Sequence, residues 1–358
     1  MDRITKTVGQ YYFGAGTLEK LQEEPSLRTA GEGVVFLVDS YFQNSELVER
    51  LPVCYSDVLI FVDSSHEPTT DAVDDYLAKA LAGTAGQRDS VVGIGGGSTL
   101  DTAKAVSNLI SNGGKAEDYQ GWNLVQKPGV FKLGVPTLSG TGAEASRTCV
   151  MMNHAKNLKL GMNSDYTVFD RLILDAELTA TVPRDQYFFT GLDTYIHCIE
   201  SLNGSFRHAV ADAYSREALN LCHDVFSAED MMALDKREML MVASFLGGSA
   251  IGNSFVGVVH PLSAGLSMVL GVHHCEANCL VMNVMDDFYP AEAATFRRMV
   301  EKQNISLRTG LCRGLSDDQY EALFNASIIH EKPLENALGP NFRNVLTRER
   351  VQELFVRM

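Results

Sequence analysis

Ser90-Val91-Val92-Gly93-Ile94-Gly95-Gly96-Gly97-Ser98-Thr99-Leu100-Asp101-Thr102-Ala103-Lys104 reads as a strand, a glycine turn and a helix start in direct succession. Beyond the glycines, Leu100, Ala103, Val106 and Ile110 draw an apolar stripe at helical spacing. Consecutive glycines let a backbone approach a pyrophosphate closely, and the free N–H groups of a helix start attract its charge. The triplet is neither G-x-G-x-x-G nor a Walker loop, because no Gly-Lys-Ser/Thr follows it. A tight turn closed by a capping box of Ser98 and Asp101, with no ligand, accounts for the same letters.

Working outward, apolar runs at 34–38 (VVFLV), 58–62 (VLIFV), 91–94 (VVGI) and 133–135 (LGV) are strand-like, and 70–81 has helical spacing. Strand and helix in alternation predict an α/β unit, a Rossmann-like parallel sheet covered on both faces, with ligands at the C-terminal strand ends. Asp39 ends one such strand, where a carboxylate accepts from a ribose and repels a 2′-phosphate; an ordinary turn aspartate fits equally. The hydroxyl-rich turn PTLSGTGAE (136–144) follows another strand and suits a dinucleotide or a plain surface loop. With the fold class, these features favour dinucleotide binding over the empty turn. The last convincing strand lies near residues 172–175. After Pro183 the pattern is helical throughout: 239–251 reads as a buried helix and 291–358 as two or three amphipathic ones. The expected organisation is a dinucleotide-binding α/β domain over 1–180 and an all-α metal-binding domain over 181–358.

The 358 residues carry 45 acidic and 30 basic side chains, a formal charge of -15 that repels polyanions, so neither nucleic acid nor an anionic membrane is an expected partner. No run reaches the ~18 apolar residues of a membrane span, and the first residues lack a signal-peptide core. Seven cysteines without a CxxC pair read as reduced thiols of a cytoplasmic protein.

The helical half holds the second candidate site. Asp193 and His197 stand four apart in an apolar helical pattern and so project from one face. A hydrogen bond between them is the plainer reading of that pair alone. His260, His273 and His274 then fall within apolar sequence. On one straight helix His260 and His274 would lie ~21 Å apart. A shared ion therefore requires the chain to reverse between them, at Gly265 or Gly271. One carboxylate and three imidazoles suit Fe²⁺ or Zn²⁺ and leave a position open for substrate.

These motifs, GGGSTLDTAK (95–104), PTLSGTGAE (136–144), TGLDTYIHCIE (190–200) and 260–278, resemble in order and spacing those of the iron-containing, or group III, metal-dependent alcohol dehydrogenases. Glycerol dehydrogenase and, more distantly, dehydroquinate synthase share that architecture. The resemblance runs from about residue 8 to about residue 348. It implies a metal and a nicotinamide held between an N-terminal Rossmann-like and a C-terminal helical domain, with a small alcohol or sugar acid as substrate and a homodimer as the assembly. By position it makes Asp193, His197, His260 and His274 the metal ligands. Cofactor contacts fall on Asp39, Gly95, Gly96, Gly97, Ser98, Asp101, Thr137, Thr141 and Lys159, with Leu178 a weaker match; Asp39 favours NAD over NADP.

Two positions depart from the family pattern. Ala264 stands where many members carry another histidine, and His273 replaces the usual proline before the last ligand. His273, or water on the metal, is expected to relay the proton; a histidine merely packed there is the plainer reading. Taken whole, the sequence is similar to the branch that oxidises C8 of 3-deoxy-D-manno-octulosonate ahead of amination in lipopolysaccharide synthesis. Arg147 is a candidate for its carboxylate, or an ordinary surface arginine. Alternatives are a lyase of the dehydroquinate synthase type using the same NAD and metal, polyol oxidation like that of glycerol dehydrogenase, and a non-catalytic sensor.

Overall fold

Runs of valine, leucine and isoleucine with no polar interruption form strands buried on both faces, the signature of a parallel sheet. The computed structural model, which describes residues 5–84 and 87–358, has two such strands, Val34–Asp39 and Ser90–Gly95, with every residue buried. Each large apolar side chain so buried contributes about 1.5–3 kcal/mol relative to exposure.

The chain divides into two compact units, Met1–Thr181 and Val182–Met358. In the first, the strands are β1 (Gln10–Phe13), β2 (Val34–Asp39), β3 (Val58–Val62), β4 (Ser90–Gly95), β5 (Gly121–Trp122), β6 (Phe131–Pro136), β7 (Val150–Asn153), β8 (Leu158–Asn163) and β9 (Arg171–Leu174). Six of them form a sheet in the order β1-β9-β6-β4-β2-β3, every pairing parallel. Helix Thr70–Leu81 follows β3, its first turn capped by the Thr69 side chain, and helix Gly97–Asn112 follows β4. The sheet's core is Val34, Phe36, Val38, Val92, Ile94, Leu133, Val135 and Ile173, with Leu18, Leu21 and Leu27 packed on it.

Two parts of this unit depart from the sequence reading. β1 is an added edge strand, and a separate three-stranded sheet runs β5-β8-β7, with β7 and β8 antiparallel. Its strands are short and mix Lys159, Asn153 and Asn163 with methionines, so no continuous apolar run marks them.

The second unit has no strand among its residues. Helix Arg184–Asn203 is buried almost all round from Thr190 to Ser201, enclosed by Ala209–Phe226, Leu234–Asn253 and His274–Met282. A helix enclosed on every side buries its polar residues too, and Asp193, His197 and Glu200 are among those it carries inside. Beyond residue 289 the chain forms Pro290–Lys302, Asp317–Ile328, Glu331–Leu338, Phe342–Val345 and Arg348–Val356, more and shorter helices than the two or three expected. Among the described residues no helix is long and apolar enough to cross a membrane. All seven cysteines are free, and six are buried.

Candidate functional site

The order β6-β4-β2 sets three loops side by side at one sheet edge. Val38 pairs with Ile94, and Gly95 with Pro136, so Asp39, the glycine turn and Thr137 leave the sheet in register. The Thr137 N–H donates to the Gly95 carbonyl at 3.0 Å. A Cβ on Gly95 would lie 2.6 Å from that of Thr99 and 3.0 Å from that of Asp39; one on Gly97 would lie 3.1 Å from Thr141. Only glycine permits these approaches. Helix Gly97–Asn112 begins with Gly96 as its cap and no side chain capping it. The capping box of Ser98 and Asp101 therefore does not form, and the first-turn N–H groups are the kind an anion meets. Thr99 Oγ1 and Ser139 Oγ are buried at this edge without hydrogen-bond partners. Asp39 Oδ1 accepts from the Tyr41 N–H at 3.0 Å and from Ser64 Oγ at 2.8 Å. These features fit a dinucleotide.

Four positions from the sequence reading make contacts within the unit. Asp101 accepts from the Val150 N–H at 2.9 Å and lies 3.4 Å from Lys104 Nζ, which also donates to the Ala143 carbonyl at 2.7 Å. Its carboxylate ties the glycine helix to the first residue of β7. Lys159 Nζ pairs with Glu67 Oε2 at 2.6 Å, both side chains largely buried, an ion pair that sequence spacing does not reveal. Arg147 pairs with Asp165 at 3.1 Å and donates to Asn123 Oδ1 at 2.9 Å. Leu178 packs against the sheet's core.

In the second unit, Gly271 stops helix Val259–Leu270 with φ 65°, and the Val272 N–H closes the end on the Leu266 carbonyl at 3.4 Å. This is a left-handed glycine stop. The chain turns there and not at Gly265, which lies inside the helix against Ser327 and Leu323. The reversal brings the His260 and His274 rings to 5.6 Å between centroids. Asp193, on helix Arg184–Asn203, is fully buried. Its Oδ1 lies 3.3 Å from His260 Nε2 and 3.6 Å from His197 Nε2, and its Oδ2 lies 3.8 Å from His274 Nε2. One ligand atom from each of Asp193, His260 and His274 lies within 4.8 Å of the others. His197 adjoins that trio, stacked on His260 at 4.6 Å and 13°. His273 caps helix His274–Met282 with its side chain exposed, outside the cluster.

Burial favours a neutral Asp193, but His197, His260 and His274 outweigh it and hold the carboxyl below the usual range. Burial pushes His197 down to about 4 against the pull of Asp193. At His260 burial opposes the charge, yet Glu200 and Asp193 overcome it and push the group up to about 9.

Two residues here were not singled out from sequence. Glu200 accepts at 2.5 Å from the Val259 N–H and lies 2.5 Å from His260 Nδ1. Its signal was present: it falls seven residues after Asp193, on the same helical face. Asn278 Nδ2 sits 2.6 Å from Asp193 Oδ1 and 3.2 and 3.3 Å from the Nε2 atoms of His260 and His274. One amide nitrogen thus occupies the point where three ligand atoms converge. Asn278 Oδ1 and His197 Nδ1 are buried without partners. A mixed carboxylate and imidazole set around one point fits a divalent transition ion.

The model of the iron-containing alcohol dehydrogenases matches residues 9–176, and that of the C-terminal part of the same family matches 188–323. Sulfoacetaldehyde reductase of Bilophila wadsworthia is 33% identical over 220 residues, 60% of this chain and 55% of that protein. NAD-dependent methanol dehydrogenase of Bacillus methanolicus is 33% identical over 266 residues, 72% of this chain and 68% of the relative. The match therefore spans little more than half of the reductase and about two thirds of the methanol enzyme. The solved structure of a 1,3-propanediol oxidoreductase superposes with a TM-score of 0.85 over 99% of each chain at 19% identity, a likeness of fold. With both halves matched in order, the chain belongs to the iron-containing alcohol dehydrogenase family.

Proposed function

We propose that this chain is a metal- and nicotinamide-dependent oxidoreductase interconverting an alcohol and a carbonyl compound. The observation that carries the reading is the convergence of Asp193, His260 and His274 on one buried point. In this reading those three and His197 hold a single Fe²⁺ or Zn²⁺. The N–H groups at the start of helix Gly97–Asn112 hold the pyrophosphate, Thr137 and Thr141 line it, and Asp39 accepts from the ribose hydroxyls and favours NAD. When bound, a divalent ion supplies Lewis acidity for the substrate oxygen and a nicotinamide supplies the hydride acceptor or donor. Asp193 contributes one negative charge beside three imidazoles, which leaves a divalent ion with net positive charge. His273, exposed beside His274, is read as the group that passes a proton to solvent.

Within the class, the reading narrows to an acid-bearing alcohol. It is supported by the overall resemblance to the branch acting at C8 of 3-deoxy-D-manno-octulosonate, and by a relative named for a sulfonated aldehyde. Arg147, already paired, lends it no support. The test is turnover of short alcohols, glycerol and the eight-carbon sugar acid, with reduced cofactor followed by its absorbance and bound metal quantified. Reduced cofactor accumulating with an alcohol supports the oxidoreductase. A product formed without net cofactor reduction points to the lyase chemistry instead.

A further inference from the structure

The geometry points to Glu200 as the positioning residue of the ion cluster, holding His260 with its Nε2 lone pair toward the ion. This inference rests on the metal reading above and adds a residue outside its ligand set.

Asp193, His197 and Glu200 lie at i, i+4 and i+7 of helix Arg184–Asn203, so one helical face carries all three. Glu200 is fully buried, and its oxygens have separate tasks. Oε1 accepts from Val259 N–H, the first residue of helix Val259–Leu270; Oε2 meets His260 Nδ1, one residue on. A Cβ on Gly257 would come within 3.1 Å of Oε1, so the carboxylate is closely boxed in. The first bond sets where the helix starts, and the second sets the ring that it carries. With Nδ1–H given to Glu200, the imidazole that loses its other proton to make room for an ion keeps its lone pair on Nε2, the atom 3.3 Å from Asp193 Oδ1.

A glutamine at 200 has one acceptor and one donor where the structure needs two acceptors. If its oxygen keeps the Val259 N–H, its NH₂ faces His260 Nδ1, which must then accept. That places the ring proton on Nε2, toward the ion. The exchange keeps the bond to the Val259 N–H while it inverts the ligand, which separates a positioning role from simple capping of the helix.

The test uses the full chain, stripped by chelation and titrated with Zn²⁺ against a chromophoric chelator and with Co²⁺ by its ligand-field absorption. Glu200→Gln is expected to weaken Zn²⁺ binding by ~10–100-fold and to change the Co²⁺ spectrum. In a His260→Ala background the same change adds less than about twofold, because the route through the ring is gone. Unchanged Zn²⁺ binding in Glu200→Gln, or an equal loss with His260 absent, overturns the role. Should Glu200→Gln not fold, Glu200→Asp keeps two acceptor oxygens on a shorter arm. A changed Co²⁺ spectrum there supports positioning, and an unchanged one overturns it. A parent chain that binds neither ion overturns the metal reading itself, and this inference with it; a parent that binds both beside an unaffected variant overturns only Glu200.

Discussion

The glycine edge of the first unit and the ion cluster of the second are specified in opposite ways. At the edge, the decisive letters are consecutive and act by having no side chain: Gly95 and Gly97 admit Thr99, Asp39 and Thr141 to distances that a Cβ would forbid. In the cluster, the decisive letters are scattered from Asp193 to His274 and act through side chains that meet only after a chain reversal at Gly271. A local device tolerates change elsewhere. A convergent one depends on every element that aims a ligand. The two should therefore fail separately.

The hardest test removes Asp193, which lies within 4 Å of all three histidines. Asp193→Ala is expected to lose bound metal and to lower turnover by roughly 10³-fold or more, while the NAD dissociation constant moves little. Metal analysis, steady-state rates and NAD fluorescence titration read the three quantities. Full activity in a metal-free sample would end the metal reading. Gly95→Ala is the mirror experiment. Its Cβ would overlap Thr99 and crowd Asp39, at a cost of about 1–3 kcal/mol. NAD binding should weaken by about tenfold or more, with metal content unchanged. If metal were lost as well, the independence of the two regions would be wrong.

What was legible in the sequence follows the same division. Strands β2, β3, β4, β6 and β9 could be read because each contains a short run of apolar residues or glycine. β1 escaped because Tyr11 and Phe13 stand exposed on a four-residue edge strand, and the small sheet because its strands carry lysine and asparagine. Asp193, His260 and His274 could be proposed from spacing. Their meeting depended on which glycine turned the chain, and two candidates looked alike on paper. Gly265 is helical because its missing side chain lets Ser327 and Leu323 pack close, whereas Gly271 takes φ 65° in open space. Glu67 and Val150, which meet Lys159 and Asp101, lie far from them in sequence, so these contacts were hidden.

Gly271 sharpens the comparison, since it makes the cluster but carries none of its chemistry. Gly271→Ala forces a β-carbon into the left-handed region at about 1–2 kcal/mol, although no neighbour obstructs it. The melting temperature should fall by a few degrees, and metal affinity should fall with it while NAD affinity holds. Asparagine, which tolerates that backbone better, should recover part of both. A drop in stability with metal affinity intact would mean that the His260 and His274 rings are aimed by packing and not by this turn.

The smallest effect is expected at His273, which tests whether the cluster reaches solvent through a side chain, in contrast to the backbone N–H groups proposed for the glycine edge. Ala264 removes the histidine that many relatives place near the third ligand, and the His273 ring is exposed one residue from His274. General acid–base groups contribute about 10²–10⁴-fold when they touch the reacting proton. A group that only hands it onward from an open position should contribute less, on the order of several-fold. His273→Ala should therefore reshape the pH–rate profile and leave metal content and NAD affinity at parent values. An unchanged profile would remove His273 from the proton route and leave water as the carrier.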